Sequence, residues 1–364
     1  MLFPYHYLKS HQLETMQEYV QFIFENVWCE SVHGKAYDID IIFAAKPELM
    51  KMIKELDTQQ RDGAEKFLTS LHSLFEKFKE LTDVQKQEFK GWFIVNNNID
   101  QLCTSGDTSH PATYQVIEQK YPHTNYPGLL TELKRFYKNL YSPEFLTLKS
   151  VKKRIGNIDN HYDLFTQLND RDVCPFCGLS GMLNHYHDKR EAYDHYFPKG
   201  KYPFNSINFK NLVPACTHCN SSFKTIKNPH FDSKDPLQTP RKVFYPFTTQ
   251  PYNINLTVDI THKNWENLTP EDVSIVYGPD AAQQEVETWK DVYDIDDRYR
   301  IECCSKGAGK AWLTEVLDLW KIRGKEPAEY LADFEISWLN DRFVEKRFLK
   351  KEFLEGCQRA GLFE

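Results

Sequence analysis

Two short cysteine pairs are the residues of this 364-residue chain whose spacing indicates chemistry most directly. Cys174 and Cys177 lie in the segment CPFCG, and Cys216 and Cys219 lie in ACTHC. Two such pairs can supply four thiolates to one tetrahedral zinc ion. Because four thiolates leave no coordination position open, we predict a structural Zn²⁺ site. The alternative is four buried cysteines that bind no metal.

The segment between these pairs contains the residue types that phosphodiester hydrolysis requires. That reaction needs a base to activate water and a cation to stabilise charge on the phosphate. His195 can take a proton near neutral pH. Asp194 offers a carboxylate oxygen, and Asn220 an amide oxygen, to a hard divalent ion such as Mg²⁺ or Mn²⁺. An ion with so few protein ligands keeps positions free for phosphate and water.

The order of the residues in this segment resembles the HNH, or ββα-metal, endonuclease family in its four-cysteine zinc form. A DH dipeptide ends a first strand, PK follows, NL opens a second strand, and CTHCNSSFK starts a helix. The resemblance covers about 55 residues, from Cys174 to roughly Asn228. Taken singly, a DH pair is more often a surface pair, and an Asn after Cys is often a helix cap. The joint arrangement is what favours a site.

The resemblance implies a role for each of these residues. Asp194 matches the metal-binding acid of the family, and His195 matches its general base. Asn211 matches the asparagine that fixes the loop between strand and helix and thereby orients the histidine. Asn220 matches the last residue of the motif, a metal ligand on the helix. The family often has His at this last position, so Asn220 implies a hard catalytic ion, Mg²⁺ or Mn²⁺.

Two lysines of the same segment are candidate contacts for nucleic-acid phosphates. Lys199 follows the DH dipeptide. Lys224 follows Asn220 by four positions, so Asn220 and Lys224 lie on one helix face. The alternative for each is a solvated surface lysine.

Charge is distributed unevenly along the chain. The formal net charge of −7 argues against a protein that coats nucleic acid non-specifically. Residues 188–227 nevertheless contain seven Lys or Arg against three Asp or Glu, and residues 134–154 contain seven against one. The second stretch, which includes Tyr141, could follow a nucleic-acid backbone. An amphipathic helix with a charged outer face explains it equally well. The expected partner is DNA or RNA.

Hydrophobic periodicity predicts the elements that must position this site. Helical spacing dominates residues 10–95, about 127–168, and the region from about Gly309 to the end. Residues 254–260 alternate as a half-buried strand, and Val273–Tyr277 is a second strand candidate. We therefore predict an α+β fold with a mainly α-helical scaffold around a zinc-stapled ββα-metal module and a small β-rich patch after it. The predicted domains are 1–168, helical; 169–232, the nuclease module; and 233–364, a β-hairpin followed by helices.

The cellular setting can also be predicted. The chain begins without a signal-peptide pattern and lacks any run of roughly 18 apolar residues. Its nine cysteines are an odd number, which disfavours a disulfide framework. We expect a cytoplasmic protein with no membrane partner. The segment NPHFDSKD at 228–235 resembles the tail of HNH modules in larger bacterial proteins, some of them antiphage defence nucleases of Septu-type and retron-linked systems. That resemblance implies a partner ATPase or other regulatory subunit.

The function predicted from the sequence is therefore a metal-dependent HNH endonuclease in a bacterial or phage-defence context. The alternative is a zinc-stapled subunit of a larger complex that binds nucleic acid or protein without cleaving it. A phosphate loop is rejected for SKGAGK at 305–310, because the first glycine at the required spacing is missing and Ala311 replaces the Ser or Thr after Lys.

Overall fold

The computed structural model describes residues 1–104, 111–232, 234–235 and 237–363. These residues are mainly helical with two small antiparallel sheets, so the predicted α+β class is confirmed. The α-helices are α1 Glu14–Phe22, α2 Ile39–Ile42, α3 Pro47–Asp57, α4 Asp62–Lys79, α5 Asp83–Asn97, α6 Ile99–Thr104, α7 Tyr114–Lys120, α8 Leu129–Leu140, α9 Pro143–Leu146, α10 Lys149–Ile155, α11 Ile158–Leu168, α12 Gln283–Tyr293, α13 Ile295–Cys304, α14 Gly309–Arg323, α15 Pro327–Asn340 and α16 Arg347–Arg359.

Several shorter elements complete the described chain. The strands are β1 Tyr193–His195, β2 Leu212–Pro214, β3 Asn255–Ile260 and β4 Val273–Gly278. The π-helical segments are Ile23–Trp28 and His218–Lys224, and the 3₁₀ segments are Trp265–Asn267, Pro270–Asp272, Asp280–Ala282 and Val344–Lys346. We call His218–Lys224 the site helix. Strand β1 pairs with β2, and β3 pairs with β4, in both cases antiparallel.

The first half of the chain forms a helical core around α4. This helix buries one continuous face, as its apolar spacing predicts: Phe67, Leu71, Leu74, Phe75 and Phe78. Helix α8 packs closely along it, and the Asn139 side chain donates a hydrogen bond to the carbonyl oxygen of Gly63 (2.9 Å). A Cβ at Gly63 would lie 2.5 Å from the Glu144 carbonyl oxygen, so this close approach requires glycine. The packing fixes α8, which carries side chains of the site.

The second half forms another core around the β3–β4 hairpin and α16. The predicted alternation of β3 is confirmed, since Leu256, Val258 and Ile260 are buried and the residues between them are exposed. Helix α16 lies directly against β3, where a Cβ at Gly356 would come within 2.3 Å of the Val258 carbonyl oxygen.

The prediction that helices resume only near Gly309 was incomplete. Helices α12 and α13 come before it. The acidic residues within 291–297 obscured the helical pattern in the sequence. Most of them are exposed, while Trp289, Tyr293 and Tyr299 are buried.

The cysteine-containing segment does not form a core of its own. Tyr193, Phe204 and Leu212 belong to the first core, whereas Tyr196 and Val213 belong to the second. The predicted boundaries of residues 169–232 stay a prediction, and Ser233, where the next region was predicted to start, lies outside the described residues. No helix in the described ranges is both long and apolar enough to cross a membrane.

Candidate functional site

The four cysteines of the two pairs meet at one point. Cys174, Cys177, Cys216 and Cys219 are buried, and their Sγ atoms all lie within 4.8 Å of one another. The Cys177 and Cys216 sulfurs are 3.9 Å apart. A tetrahedral zinc ion with Zn–S bonds of about 2.3 Å places its sulfurs roughly 3.8 Å apart. The four thiolates could therefore hold one zinc ion, as the spacing predicted.

Backbone geometry turns each cysteine pair toward this point. In the first pair, the Gly178 N–H donates to the Cys174 carbonyl oxygen (2.7 Å), and the Leu179 N–H points at the Cys177 sulfur (3.4 Å). In the second pair, the Cys219 N–H points at the Cys216 sulfur (3.4 Å). Such N–H contacts spread the negative charge of thiolates and orient them for a metal.

Helices α12 and α13 surround the first pair. The Trp289 indole donates to the Phe176 carbonyl oxygen (2.7 Å), and the Tyr299 hydroxyl donates to that of Cys177 (2.8 Å). The Arg298 guanidinium lies 3.4 Å from the Cys219 sulfur and 4.2 Å from the centroid of the Phe223 ring. Because a zinc ion with four thiolates has a net charge of −2, Arg298 supplies a compensating positive charge. The sequence prediction missed these three residues.

We call the four cysteines the cage. The β1–β2 hairpin and the site helix surround an open cleft of about 620 Å³ next to it. In β1, Asp194 pairs with Val213 and His195 with Leu212. The site helix begins shortly after β2. The cleft is lined by Tyr114, Lys134, Lys138, Tyr141, Tyr193, Asp194, His195, Pro198, Lys199, Gly200, Asn220, Thr225 and Ile226. The structure thus brings together Asp194, His195, Asn220 and Lys199.

His195 is held in one orientation. Its Nε2 lies 2.9 Å from the Ser206 carbonyl oxygen, to which the Nε2–H donates, so Nδ1 carries the lone pair of the neutral ring. The Tyr141 ring packs at 84° to the imidazole, with 4.6 Å between centroids. Burial, with the positive charges of Lys199 and Lys224 adding to it, holds the pKa of His195 well below its usual value. The ring is therefore neutral near pH 7, which is the state a general base needs.

Asn211 orients this histidine through the loop between β1 and β2. Its amide oxygen accepts from the Phe197 N–H (2.7 Å), and its amide nitrogen donates to the carbonyl oxygens of Phe197 (3.1 Å) and Asn205 (3.3 Å). Asn205 precedes Ser206, whose carbonyl holds the imidazole. The resemblance implied a loop between strand and helix; the loop that Asn211 fixes instead joins two strands. Asn211 is fully buried, does not line the cleft, and is a positioning residue.

Lys224, the other lysine predicted to contact a phosphate, does not line the cleft. Lys224 is fully buried, and its Nζ donates to Asp194 Oδ1 (2.8 Å) and to the His195 carbonyl oxygen (2.8 Å). The end of the site helix turns inward there, so that this ammonium packs beneath β1 instead of facing solvent. Its role in the structure is to hold Asp194 and the end of β1 together.

Asp194 retains an oxygen that is free of this ion pair. Its Oδ2 is buried and has no hydrogen-bond partner among the described residues. Burial raises the pKa of Asp194 above its usual value, against the opposing effect of the Lys224 charge. Unpartnered buried carboxylate oxygens are costly unless a proton or cation satisfies them. The half-buried Asn220 lines the same cleft, so the donor chemistry fits a hard divalent ion.

This arrangement differs from a closed metal site. In the described part of the chain, the four cysteines are the one group of three or more His, Cys, Asp or Glu side chains placed to share an ion. An ion held by Asp194 and Asn220 would have two protein ligands, which would leave its other positions to water and substrate.

Three lysines are among the residues that form the wall of the cleft. Lys134 and Lys138 come from α8, and Lys199 comes from the β1–β2 loop, with its Nζ 4.6 Å from the centroid of the Tyr141 ring. Burial and the nearby charge of Lys138 lower the pKa of Lys199. The basic stretch 134–154 was singled out in the sequence, and the structure places its first two lysines here. Lys199 lines the cleft, and its contact with a phosphate stays a prediction.

Comparison with other proteins adds no relative to this geometry. No family model, no curated protein and no solved structure matches the chain.

Proposed function

We propose that the chain is a metal-dependent endonuclease of the HNH kind that hydrolyses nucleic-acid phosphodiesters. The observation that supports this most strongly is the convergence of Asp194, His195 and Asn220 on one cleft with a wall of lysines. Each of these side chains has an atom suited to the reaction: an unpartnered carboxylate oxygen, an imidazole lone pair and an amide oxygen.

In the proposed reaction His195 Nδ1 takes a proton from the attacking water, while Ser206 and Asn211 keep the ring in place. Lys134, Lys138 and Lys199 attract the phosphate backbone into the cleft. A Mg²⁺ or Mn²⁺ ion bound by Asp194 and Asn220 would supply positive charge to the phosphate oxygens.

We propose that the four cysteines bind a structural zinc ion. Binding of zinc by four thiolates can contribute on the order of 10 kcal/mol to folding. Here it would join the two cysteine pairs, which have no separate core, and fix the start of the site helix directly beside Asn220.

The test is cleavage by a His195→Ala variant. Wild type, His195→Ala and the control His187→Ala, which changes an exposed histidine, are incubated with plasmid and with tRNA in Mg²⁺. We expect loss of about 10²–10⁴-fold in rate for His195→Ala, since this is the usual contribution of general-base catalysis. Unchanged cleavage by this variant would reject the proposal.

A second function is favoured by the Lys224–Asp194 ion pair. An ammonium at Asp194 Oδ1 already neutralises the carboxylate, and this would suit a subunit that binds nucleic acid or protein without cleaving it. This function predicts that labelled oligonucleotides bind equally with and without Mg²⁺, under chelation mild enough to spare zinc, and that no substrate is cut. The endonuclease predicts cleavage that stops when Mg²⁺ is removed.

A bacterial or phage-defence context with a partner ATPase or other regulatory subunit is proposed on the sequence resemblance alone. Co-expression with the products of neighbouring genes, followed by size-exclusion chromatography, tests it. A stable complex whose nuclease activity depends on the partner is the expected outcome.

A further inference from the structure

A second cavity shares the lining residue Tyr141 with the cleft. Its volume is about 200 Å³. Its lining is mostly apolar, with a few polar side chains: Leu13, Met16, Tyr141, Pro143, Leu146, Thr147, Lys152, Ile155, Gly156, Asn157, Ile158, Asp159, Arg190, Ile207 and Phe209. We call it the Tyr141 cavity. The proposed reaction does not use it.

The size and lining of the Tyr141 cavity limit what can enter. Its volume is several times the ~30 Å³ share of a water molecule in the liquid. It is smaller than the roughly 300 Å³ at which pockets for drug-sized ligands begin. Apolar walls such as Leu146, Ile158 and Phe209 exclude a bare phosphate or a metal ion, which would lose hydration there. A flat, mostly apolar group of fragment size fits.

The Tyr141 cavity is next to the cleft, as two elements show. The Tyr141 ring lines both spaces, and Lys199, a cleft residue, covers one of its faces. Ile207 and Phe209 of the cavity wall follow Ser206, whose carbonyl oxygen holds His195. A ligand in the cavity therefore lies one aromatic ring away from the imidazole.

The polar side chains of the Tyr141 cavity carry both charge and hydrogen-bonding groups. Lys152 is an exposed cation there, and the Arg190 guanidinium is held by Asp159 (2.8 Å from Nε to Oδ1). Asn157 adds an amide. Cations beside an aromatic, apolar slot are the combination that binds an unstacked nucleobase together with its phosphate.

We propose that the Tyr141 cavity binds one unstacked base of a single-stranded nucleic acid whose backbone passes through the cleft. This deepens the proposed nuclease function, and the path of the backbone through the cleft rests on that function. The base packs against Tyr141 and Phe209, and Lys152 and Arg190 contact the flanking phosphate.

The experiment measures binding by isothermal titration calorimetry to the full chain loaded with zinc, without Mg²⁺. The probes are adenosine 5′-monophosphate, uridine 5′-monophosphate and, as the probe without a base, ribose 5-phosphate. Thr147→Trp places an indole in the cavity from an exposed position. Asn160→Trp, an exposed and uncharged position outside the lining, is the matched control.

We expect at least one nucleotide to bind wild type and Asn160→Trp alike. Ribose 5-phosphate and the Thr147→Trp variant should each show affinity weaker by about tenfold or more, the loss that removal of one stacking contact produces. Equal binding of ribose 5-phosphate, no nucleotide binding by wild type, or unchanged nucleotide binding by Thr147→Trp would each overturn the proposal.

Cleavage of plasmid and tRNA in Mg²⁺ by wild type, Thr147→Trp and His195→Ala, measured beside the binding experiment, separates this proposal from the nuclease function. Nucleotide binding without any cleavage by wild type would remove the nuclease function and the path of the backbone through the cleft, leaving a base-binding cavity. Cleavage that depends on His195 without nucleotide binding would remove the base site alone.

Discussion

The cysteine cage and the cleft are neighbours, yet their donor atoms are arranged in opposite ways. The four sulfurs of the cage converge, are buried, and receive N–H groups and the Arg298 guanidinium. In the cleft, Asp194 leaves one oxygen without a partner, and the lysines of the wall line an open space. A closed donor set suits stability, whereas an incomplete one suits exchange of water and substrate.

The two regions are joined by a single peptide bond, between Cys219 of the cage and Asn220 of the cleft. The effects of substitutions in the two regions should therefore be asymmetric. Damage to the cage should reach the cleft, whereas changes in the cleft should leave the cage intact.

The largest effect is expected from Cys216→Ser. Loss of one thiolate should remove most of the roughly 10 kcal/mol that a structural zinc ion can contribute, so that the chain unfolds or aggregates. Zinc content by atomic absorption and circular dichroism on heating provide the measurement. The control is Cys304→Ser, a half-buried cysteine outside the cage. A zinc-free Cys216→Ser protein with wild-type melting would contradict the structural role of the cage.

The next effect concerns the ion pair beneath the cleft. Lys224→Met leaves Asp194 buried without its partner and should lower the free energy of unfolding by about 3–5 kcal/mol. The double variant Asp194→Asn/Lys224→Met should lose clearly less, because it buries no unpaired charge. Urea unfolding of zinc-loaded protein measures these two variants and the single variant Asp194→Asn. If the two single changes simply add, the pair does not couple as the structure indicates.

A smaller effect is expected at the wall of the cleft. Lys199→Gln should weaken binding of nucleic acid and reduce the slope of log K against log[salt] by about 0.7–0.9, the amount that one lost phosphate contact produces. Fluorescence anisotropy at several salt concentrations measures it. Lys210→Gln, at an exposed position outside the cleft, is the control. The same slope for both variants would remove Lys199 from the interface.

The smallest effect lies outside both regions and tests whether stability can change without the site. Burial, and then the charge of Glu355, raises the pKa of Glu352 in α16 to about 7. The folded state therefore favours the protonated carboxyl, and stability falls as the pH rises from the unfolded value near 4.5 through about 7. Glu352→Gln should stabilise the protein by about 1 kcal/mol at pH 8 and little at pH 4. Melting curves at both pH values measure this, and cleavage should not change.

Much of this arrangement follows from local sequence. Two CxxC pairs predict that their four cysteines converge on one site, because thiolates on tight turns are the usual ligands of a structural zinc ion. The apolar periodicity of α4 and the alternation of β3 predict buried faces directly. The DH dipeptide predicts two consecutive residues on one short strand, but strand alternation alone would point their side chains to opposite faces.

What the sequence could not show depends on packing between distant elements. The carbonyl oxygen of Ser206 holds His195, and a backbone atom has no residue type to signal it. Lys224 looks like any surface lysine until the end of the site helix turns it beneath Asp194. Lys134 and Lys138 reach the cleft only because α8 packs along α4.

The division of the β1–β2 hairpin between both hydrophobic cores has a mechanical consequence. Tyr193 packs in the first core, and Tyr196, directly after β1, packs in the second. This short segment therefore connects the two cores. Helix α8 packs in the first core, and Asn220 directly follows Cys219 of the second core. A small displacement of one core relative to the other would change the width of the cleft in which phosphate must bind, even if every lining residue stayed intact.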